Sequence, residues 1–236
     1  MKICIFTDIH GNITSLNQFV KTKDFLEADK RIYLGDTVMT CLHPNECIEL
    51  LNQYDCINLL GNNDSYIINN IKQEDSEKYK QIMFTRNLVL EKNKNIMKKW
   101  DKEFYLNIDG IKLYFTHYPW QDDVNCFYVL KEKTLEKRQE LFKHIDADYI
   151  FFGHEHLPNI FEDKKKKYIC VGSLGLSQPC LYLMVTIENG NIEIEEKSFA
   201  QNFDFEIETV KKSSLPKICK DSIIEKIKSV DEHRNY

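Results

Sequence analysis

The chain has no apolar run long enough to span a bilayer; its longest apolar stretches are strand-sized, which argues against a membrane-spanning helix. It also lacks an opening that reads as a signal peptide, because Met1-Lys2-Ile3-Cys4-Ile5-Phe6 runs straight into Asp8. A soluble, cytoplasmic protein without a membrane partner is therefore expected. Positive charge is not in excess. Lys and Arg number 32 against 37 Asp and Glu, a net charge of −5, so long nucleic acid is not an expected partner. Paired cysteines are missing too: Cys4, Cys41, Cys47, Cys56, Cys126, Cys170, Cys180 and Cys219 are scattered without CxxC spacing. Reduced thiols are expected, with Cys4 and Cys170 as small core residues and none as a metal ligand. No linker, internal repeat or low-complexity tract interrupts the chain, so a single domain over residues 1–236 is expected. The run Lys164-Lys165-Lys166-Lys167 lies between strand-like segments and reads as a solvated hairpin turn rather than a phosphate site.

At 236 residues and 42% hydrophobic content, the chain can build one large α/β core. Its first half alternates short apolar runs with helix-like stretches, the pattern of βαβ units and a largely parallel sheet. Residues 2–7, 31–34 and 56–60 read as strands, 13–26 and 44–54 as helices, and 64–100 as mostly helical. Pro44 suits a first helical turn. In the second half, Asp109-Gly110 signals a hairpin between Glu103–Ile108 and residues 112–116. A long helix is expected over about 124–144, then a strand at Tyr149–Phe152. Further strands are expected at 159–162, 168–171, 181–187 and 191–197, and Pro216 opens a final amphipathic helix. The expected fold class is α/β: two facing mixed β-sheets, a β-sandwich, flanked by helices, with C-terminal helices over about 203–232 packed on it. Ile218, Ile223, Ile224 and Ile227 read as the core-facing stripe of the last helix, a dimer contact being the alternative. The oligomeric state is left open.

The residues that carry chemistry sit just past the strand-like runs: Asp8-Ile9-His10, Gly35-Asp36, Gly61-Asn62-Asn63-Asp64, His117 and Gly153-His154-Glu155-His156. Loops at the C-terminal ends of strands converge on one crevice in α/β sheets, which makes these residues candidates for one shared site. Carboxylate, carboxamide and imidazole donors without a thiolate suit borderline divalent metals such as manganese, iron or zinc. One carboxylate between two clusters of neutral ligands is what a two-metal hydrolytic centre requires. The alternation in Asp8-Ile9-His10 and His154-Glu155-His156 is expected to place two ligands on one side of an extended segment, with Ile9 and Glu155 facing away. A lone histidine after a strand is more often structural. His43, His144 and His233, which have no partner motif, are assigned to that class, with a substrate contact as the minor alternative for His43.

These motifs resemble those of the calcineurin-like metallophosphoesterase superfamily, and more narrowly its prokaryotic branch of small single-domain phosphodiesterases and phosphatases. Asp8-Ile9-His10-Gly11-Asn12, the Pro44-Asn45-Glu46-Cys47 helix start after Gly35-Asp36, Gly172-Ser173 with Gln178-Pro179, Phe203-Asp204 and Leu215-Pro216 extend the likeness over nearly the whole chain. The resemblance implies two divalent metal ions, manganese favoured and iron, zinc or nickel as alternatives. Asp8, His10, Asp36 and His156 would hold the first; Asp36, Asn62, His117 and His154 would hold the second, with Asp36 bridging. It implies hydrolysis of a small phosphoester, a nucleotide among the candidates, by a metal-activated water. Asp36, Asn62, Asn12 and Asn63 are the expected catalytic residues, with Asn12 and Asn62 adding hydrogen bonds near the phosphate.

Three departures from the family pattern matter. Many relatives read Gly-Asn-His-Asp where this chain has Gly61-Asn62-Asn63-Asp64, and that histidine is the family's general acid. An amide cannot donate a full proton to a leaving alkoxide, and general acid catalysis is worth roughly 10²–10⁴ in rate. Asn63 therefore favours phosphodiesters over phosphomonoesters of poor leaving groups, and leaves Asp64 as a helix cap. The loop after Asp36 carries Met39-Thr40-Cys41 instead of Gly-Tyr-Gly, and Tyr118-Pro119-Trp120 replaces Gly-Ser-Pro after His117. Tyr118 and Trp120 would stack on a nucleobase or pack beneath the loop, the commoner fate. Alternatives to the diesterase reading are a phosphomonoesterase or dinucleoside-polyphosphate hydrolase, and a catalytically weak metal-binding scaffold of the same fold.

Overall fold

Strands buried on both faces read as near-continuous apolar runs, and that is how the first strand, β1 (Lys2–Phe6), is used. In the computed structural model, which describes residues 1–69, 72–121, 126–127 and 134–232, Ile3 and Ile5 face one core and Cys4 and Phe6 another. β1 pairs in parallel with β2 (Lys30–Tyr33), and β2 with β3 (Cys56–Asn58). On its other side β1 pairs antiparallel with β11 (Cys180–Glu188), which turns at Asn189-Gly190 into β12 (Asn191–Phe199). The second sheet holds β5 (Ile111–Thr116), β8 (Tyr149–Phe152) and β10 (Lys167–Cys170) in parallel. Antiparallel edges close it, β4 (Glu103–Ile108) beside β5 and β9 (Asn159–Glu162) beside β10. A short antiparallel pair, β6 (Trp120–Gln121) and β7 (Cys126–Phe127), stands apart.

The sheets face each other through Ile3, Ile5, Ile32, Phe115, Phe151, Ile169 and Val185. Helices cover both outer faces, so the expected pair of mixed sheets flanked by helices is what the chain forms. Phe6 packs with Leu16 and Phe19 of α1 (Ile13–Phe19), with Phe25 of α2 (Lys23–Glu27), and with Cys47 and Leu51 of α3 (Pro44–Leu51). The outer face of the second sheet packs Tyr114, Ile150 and Phe152 with Ile67 of α4 (Asn62–Ile68), Ile82 of α5 (Glu77–Leu88) and Met97 of α6 (Glu91–Met97). α8 (Asp204–Lys212) and α9 (Lys217–Glu232) bury Val210, Ile223 and Ile227 against Cys41 and Leu176. Ile218 of the expected stripe is 61% exposed instead. No described helix is long and apolar enough to cross a membrane.

Two helix expectations are corrected. The single helix over 13–26 is broken at Thr22, whose extended backbone lets its hydroxyl accept from Phe25 N at 3.2 Å and start α2. The long helix over 124–144 does not form: Cys126–Phe127 is a strand, and α7 is only Leu135–Leu141, started by Thr134. Residues 124–125 and 128–133 of that segment lie outside the described residues. The lysine run sits at the turn between β9 and β10, where Asp163 Oδ1 accepts from the backbone N–H of Lys165 (2.7 Å) and Lys166 (2.9 Å). No described cysteine is in a disulfide, and burial pushes the Cys170 thiol up to about 12.

Candidate metal centre

Where β1 and β2 end, their loops stay zipped together: Asp8 N donates to Gly35 O (2.9 Å), His10 N to Asp36 O (2.9 Å) and Gly11 N to Thr37 O (2.7 Å). His154 N, past β8, donates to Asp8 Oδ2 at 3.0 Å, and Thr7 Oγ1 donates to the same oxygen at 2.8 Å. These loops pack so closely that Gly61 and Gly153 admit no side chain; a Cβ there would collide with Asp36 and with Thr7 respectively.

The alternation expected of extended segments is not how the ligands are aimed. Asp8, His10, Asp36, His154 and His156 all take positive φ, between +52° and +69°. The left-handed turn at each residue swings its side chain into the crevice and the intervening Ile9 or Glu155 away. Such backbone costs of order 1–3 kcal/mol per residue and persists only where the surroundings over-determine it.

The side chains form two adjoining clusters. In the first, the Nε2 atoms of His10 and His156 lie 2.9 Å apart, and 3.5 and 3.2 Å from Asp8 Oδ1. In the second, Asn62 Oδ1 lies 3.1 Å from His117 Nε2 and 2.7 Å from His154 Nδ1. Asp36 Oδ2 stands between them, 3.8 Å from His10 Nε2 and 3.5 Å from His117 Nε2. Within each of the groups Asp8, His10, His156 and Asp36, His117, His154, one ligand atom per residue lies within 4.8 Å of the others. Asp8 Oδ1 is buried and, among the described residues, receives no hydrogen bond. Converging oxygen and imidazole donors around such an atom fit a borderline divalent cation.

Charge is unevenly held. Burial works against the Asp36 carboxylate, but the His117 imidazole beside it overcomes burial and holds the carboxyl at about 2. Burial pulls His117 down in turn, yet the carboxylates of Asp36, Asp8 and Asp64 push it to about 9. Burial and the charge of His117 lower His154 to about 4.

Other expected residues fall differently. Asn12 does not reach the crevice: fully buried, it caps α1 by accepting from Ser15 N (3.0 Å) and donates to Gly175 O (2.8 Å) and Gln201 Oε1 (3.0 Å). Its amide is committed to joining loops, which corrects the expected phosphate contact. Asn63 reaches the site through its backbone N–H and amide, donating to Asp36 Oδ1 at 2.8 Å and Oδ2 at 2.7 Å. Asp64 does more than cap α4. Its carboxylate accepts from the N–H groups of Asp36 (2.9 Å), Thr37 (2.9 Å), Val38 (3.2 Å) and Gly61 (3.0 Å), knitting the Asp36 loop. Tyr118 packs beneath the loop, with its ring 4.8 Å from that of His154, and Trp120 lies under the Lys102 ammonium at 3.8 Å. His43 stacks on Phe205 at 5.1 Å and His144 is exposed; His233 lies outside the described residues.

Sequence reasoning missed Arg138. It is fully buried and forms a two-pronged pair with Glu155, Nη1 to Oε1 at 2.7 Å and Nη2 to Oε2 at 2.8 Å. Tyr118 Oη donates to the same carboxylate at 3.0 Å. Nothing in the local pattern of α7 marks this arginine as buried; the only signal was an acidic residue between two ligand histidines, which needs a partner once it turns inward.

A fold of two mixed sheets with this crevice at their rim defines a metallophosphoesterase-type protein. Residues 1–190 match the calcineurin-like phosphoesterase superfamily domain, and the chain belongs to that superfamily. It is 25% identical over 184 residues to the uncharacterized protein MJ0912 of Methanocaldococcus jannaschii, covering 77% of this chain and 73% of the relative. Its fold is similar to a metallophosphoesterase from Sphaerobacter thermophilus (TM-score 0.72, 15% identity, 97% of this chain and 99% of that one). It is similar also to the hypothetical protein PH1004 from Pyrococcus horikoshii OT3 (TM-score 0.74, 14% identity, 94% and 97%). Superfamily and clusters together point to divalent metals and phosphoester hydrolysis.

Proposed function

We propose that the protein is a dinuclear metal-dependent phosphodiesterase acting on small phosphodiesters of nucleotide or aryl type. Asp8, His10, Asp36 and His156 would hold one ion and Asp36, Asn62, His117 and His154 the other, with manganese preferred. When bound, such a pair supplies an acidified water as nucleophile and neutralises charge on the phosphoryl oxygens. The chain's own part is placement. Asp36 offers one carboxylate to both clusters, and Asn62 contributes a neutral oxygen that limits negative charge. Asp8 and His10 are held by the zipped loops. No covalent intermediate on a side chain is required.

The observation that carries the diester preference is the Asn63 amide, which lies 2.7 Å from Asp36 Oδ2. A non-titrating group at that position cannot protonate a poor leaving group, so esters with good leaving groups, or diesters, are favoured. The test is initial rates on an aryl phosphodiester and the matching monoester with manganese, beside an Asp36→Asn control. A faster diester and a dead control are expected. A faster monoester would overturn the inference from Asn63, and turnover independent of Asp36 would overturn the metal centre.

A further inference from the structure

The candidate ligands all lie within residues 8–156, inside the 1–190 segment that matches the superfamily domain; α9 lies beyond it. Yet α9 reaches the site. Ile223 and Ile227 are buried with Cys41 and Leu176, which seats this turn of the helix on the loop following Asp36. The Lys226 ammonium there lies 3.5 Å from Thr40 Oγ1. Thr40 is itself left-handed, with φ +72°, and the next residue donates from Cys41 N to His10 O at 2.8 Å. The lysine thus touches the stretch that joins the bridging carboxylate to the first cluster.

Among the described residues Lys226 forms no ion pair; its polar contact is the Thr40 hydroxyl. Although Lys226 is an exposed residue of α9, desolvation of its ammonium pushes it below the ordinary lysine value, with Asp36 and Asp8 pulling it back and Lys78 pushing it further down. Lys78 stands over the Tyr66 ring at 4.6 Å, one helical turn along α4 from Asn62 and Asn63. Two divalent cations would outweigh the charges of Asp8 and Asp36, so Lys226 is not needed as a counter-ion to those carboxylates. A cation held by a hydroxyl beside such a centre is matched by an anion entering between them.

We propose that Lys226 grips a phosphoryl oxygen of the substrate from the α9 side, making the C-terminal helix part of the substrate site. The proposal rests on the phosphoesterase reading above and deepens it. Its test is titration of inorganic phosphate into manganese-loaded protein by calorimetry, for wild type, Lys226→Met, Lys226→Gln and Lys226→Arg. Lys228→Met, an exposed lysine two residues further along the same helix, controls for net charge. Loss of one charge-assisted contact is expected to weaken phosphate binding roughly tenfold or more. Lys226→Arg and Lys228→Met should stay near wild type, with metal content and Tm unchanged throughout; Lys226→Gln carries the comparison if the Met variant folds poorly. Equal phosphate affinity in wild type and Lys226→Gln would overturn this proposal alone. Loss of metal from the Lys226 variants would also overturn it, by making the lysine a support of the centre. No phosphate binding by the loaded wild type would overturn the phosphoesterase reading as well.

Discussion

Replacing Arg138 with methionine is expected to destabilise the protein severely and to weaken metal binding in both clusters. Methionine keeps much of the apolar volume but removes the guanidinium that meets Glu155 at 2.7 and 2.8 Å. The Glu155 carboxylate would lose this two-pronged partner in the interior while keeping the Tyr118 hydroxyl as a donor. Both side chains are essentially inaccessible, 0% and 1% exposed, so solvent cannot take over the lost partner. Removing one member of a buried pair costs about 3–5 kcal/mol. At about 2–4 °C per kcal/mol for a chain of this size, that is roughly 6–20 °C in Tm. The stacking of Arg138 over the Phe161 ring at 4.5 Å is lost as well. The assay is thermal unfolding of metal-free protein, where bound ions cannot mask the loss, followed by metal titration. Metal affinity should fall at both clusters, because Glu155 stands between His154 and His156 in the chain. The double variant Arg138→Met with Glu155→Gln should recover much of the loss, since no charge is stranded. A drop below about 2 °C would refute the reasoning, since that is what an exposed, screened pair gives. A double variant no better than the single would show that packing, not the stranded charge, sets the cost.

Two further outcomes follow from the same geometry. His117 is pushed to about 9 in the absence of metal, so below that pH a cation must displace its proton to reach the second cluster. The raised value means that the imidazolium's contribution to the stability of the metal-free fold is complete below the ordinary histidine pKa. It is lost as pH rises through about 9. Metal affinity moves the opposite way, rising with pH until His117 is neutral. Calorimetry at about pH 7.5 in buffers of different ionisation enthalpy should report about one proton released; no release would contradict it. Second, Asn63→His restores a titratable group beside Asp36. It should raise phosphomonoester turnover by roughly 10²-fold or more while changing aryl diester rates little; unchanged monoester rates would mean that the leaving group is protonated elsewhere.

Much of the site was legible because its signal is local. Asp8, His10, Asp36, Asn62, His117, His154 and His156 each follow an apolar strand, and the structure brings all of them to one rim. The sheets were legible for the same reason, since β-branched and aromatic runs mark doubly buried strands. What failed depended on contacts distant in sequence. Asn12 looked like a phosphate donor until Gly175 and Gln201 were seen to claim its amide. Arg138 sits on a helix whose charged residues read as a solvated face, and only tertiary packing turns it inward. The left-handed backbone at Asp8, His10, Asp36, His154 and His156 is not fixed by propensity: Asp and His enter that region more readily than most residues, yet only the surrounding loops hold all five there.

The two clusters also tie the sheets together. Asp8, His10, Asp36 and Asn62 follow strands of the first sheet, whereas His117, His154 and His156 follow β5 and β8 of the second. Each cluster draws ligands from both: Asp8 and His10 with His156, and Asp36 and Asn62 with His117 and His154. The distances within the clusters are therefore set by the spacing of the sheets, which depends on the shared layer of Ile3, Ile5, Phe115, Phe151 and Val185. A close-packed interior transmits a change of even one methylene, so that layer positions the candidate ligands although none of its side chains belongs to them. The left-handed backbone at the rim is maintained in the same way. The Asp64 carboxylate, the zipped loops and the Arg138–Glu155 pair hold the geometry of the candidate ligands, and a preorganised set of donors would lose less freedom on binding an ion.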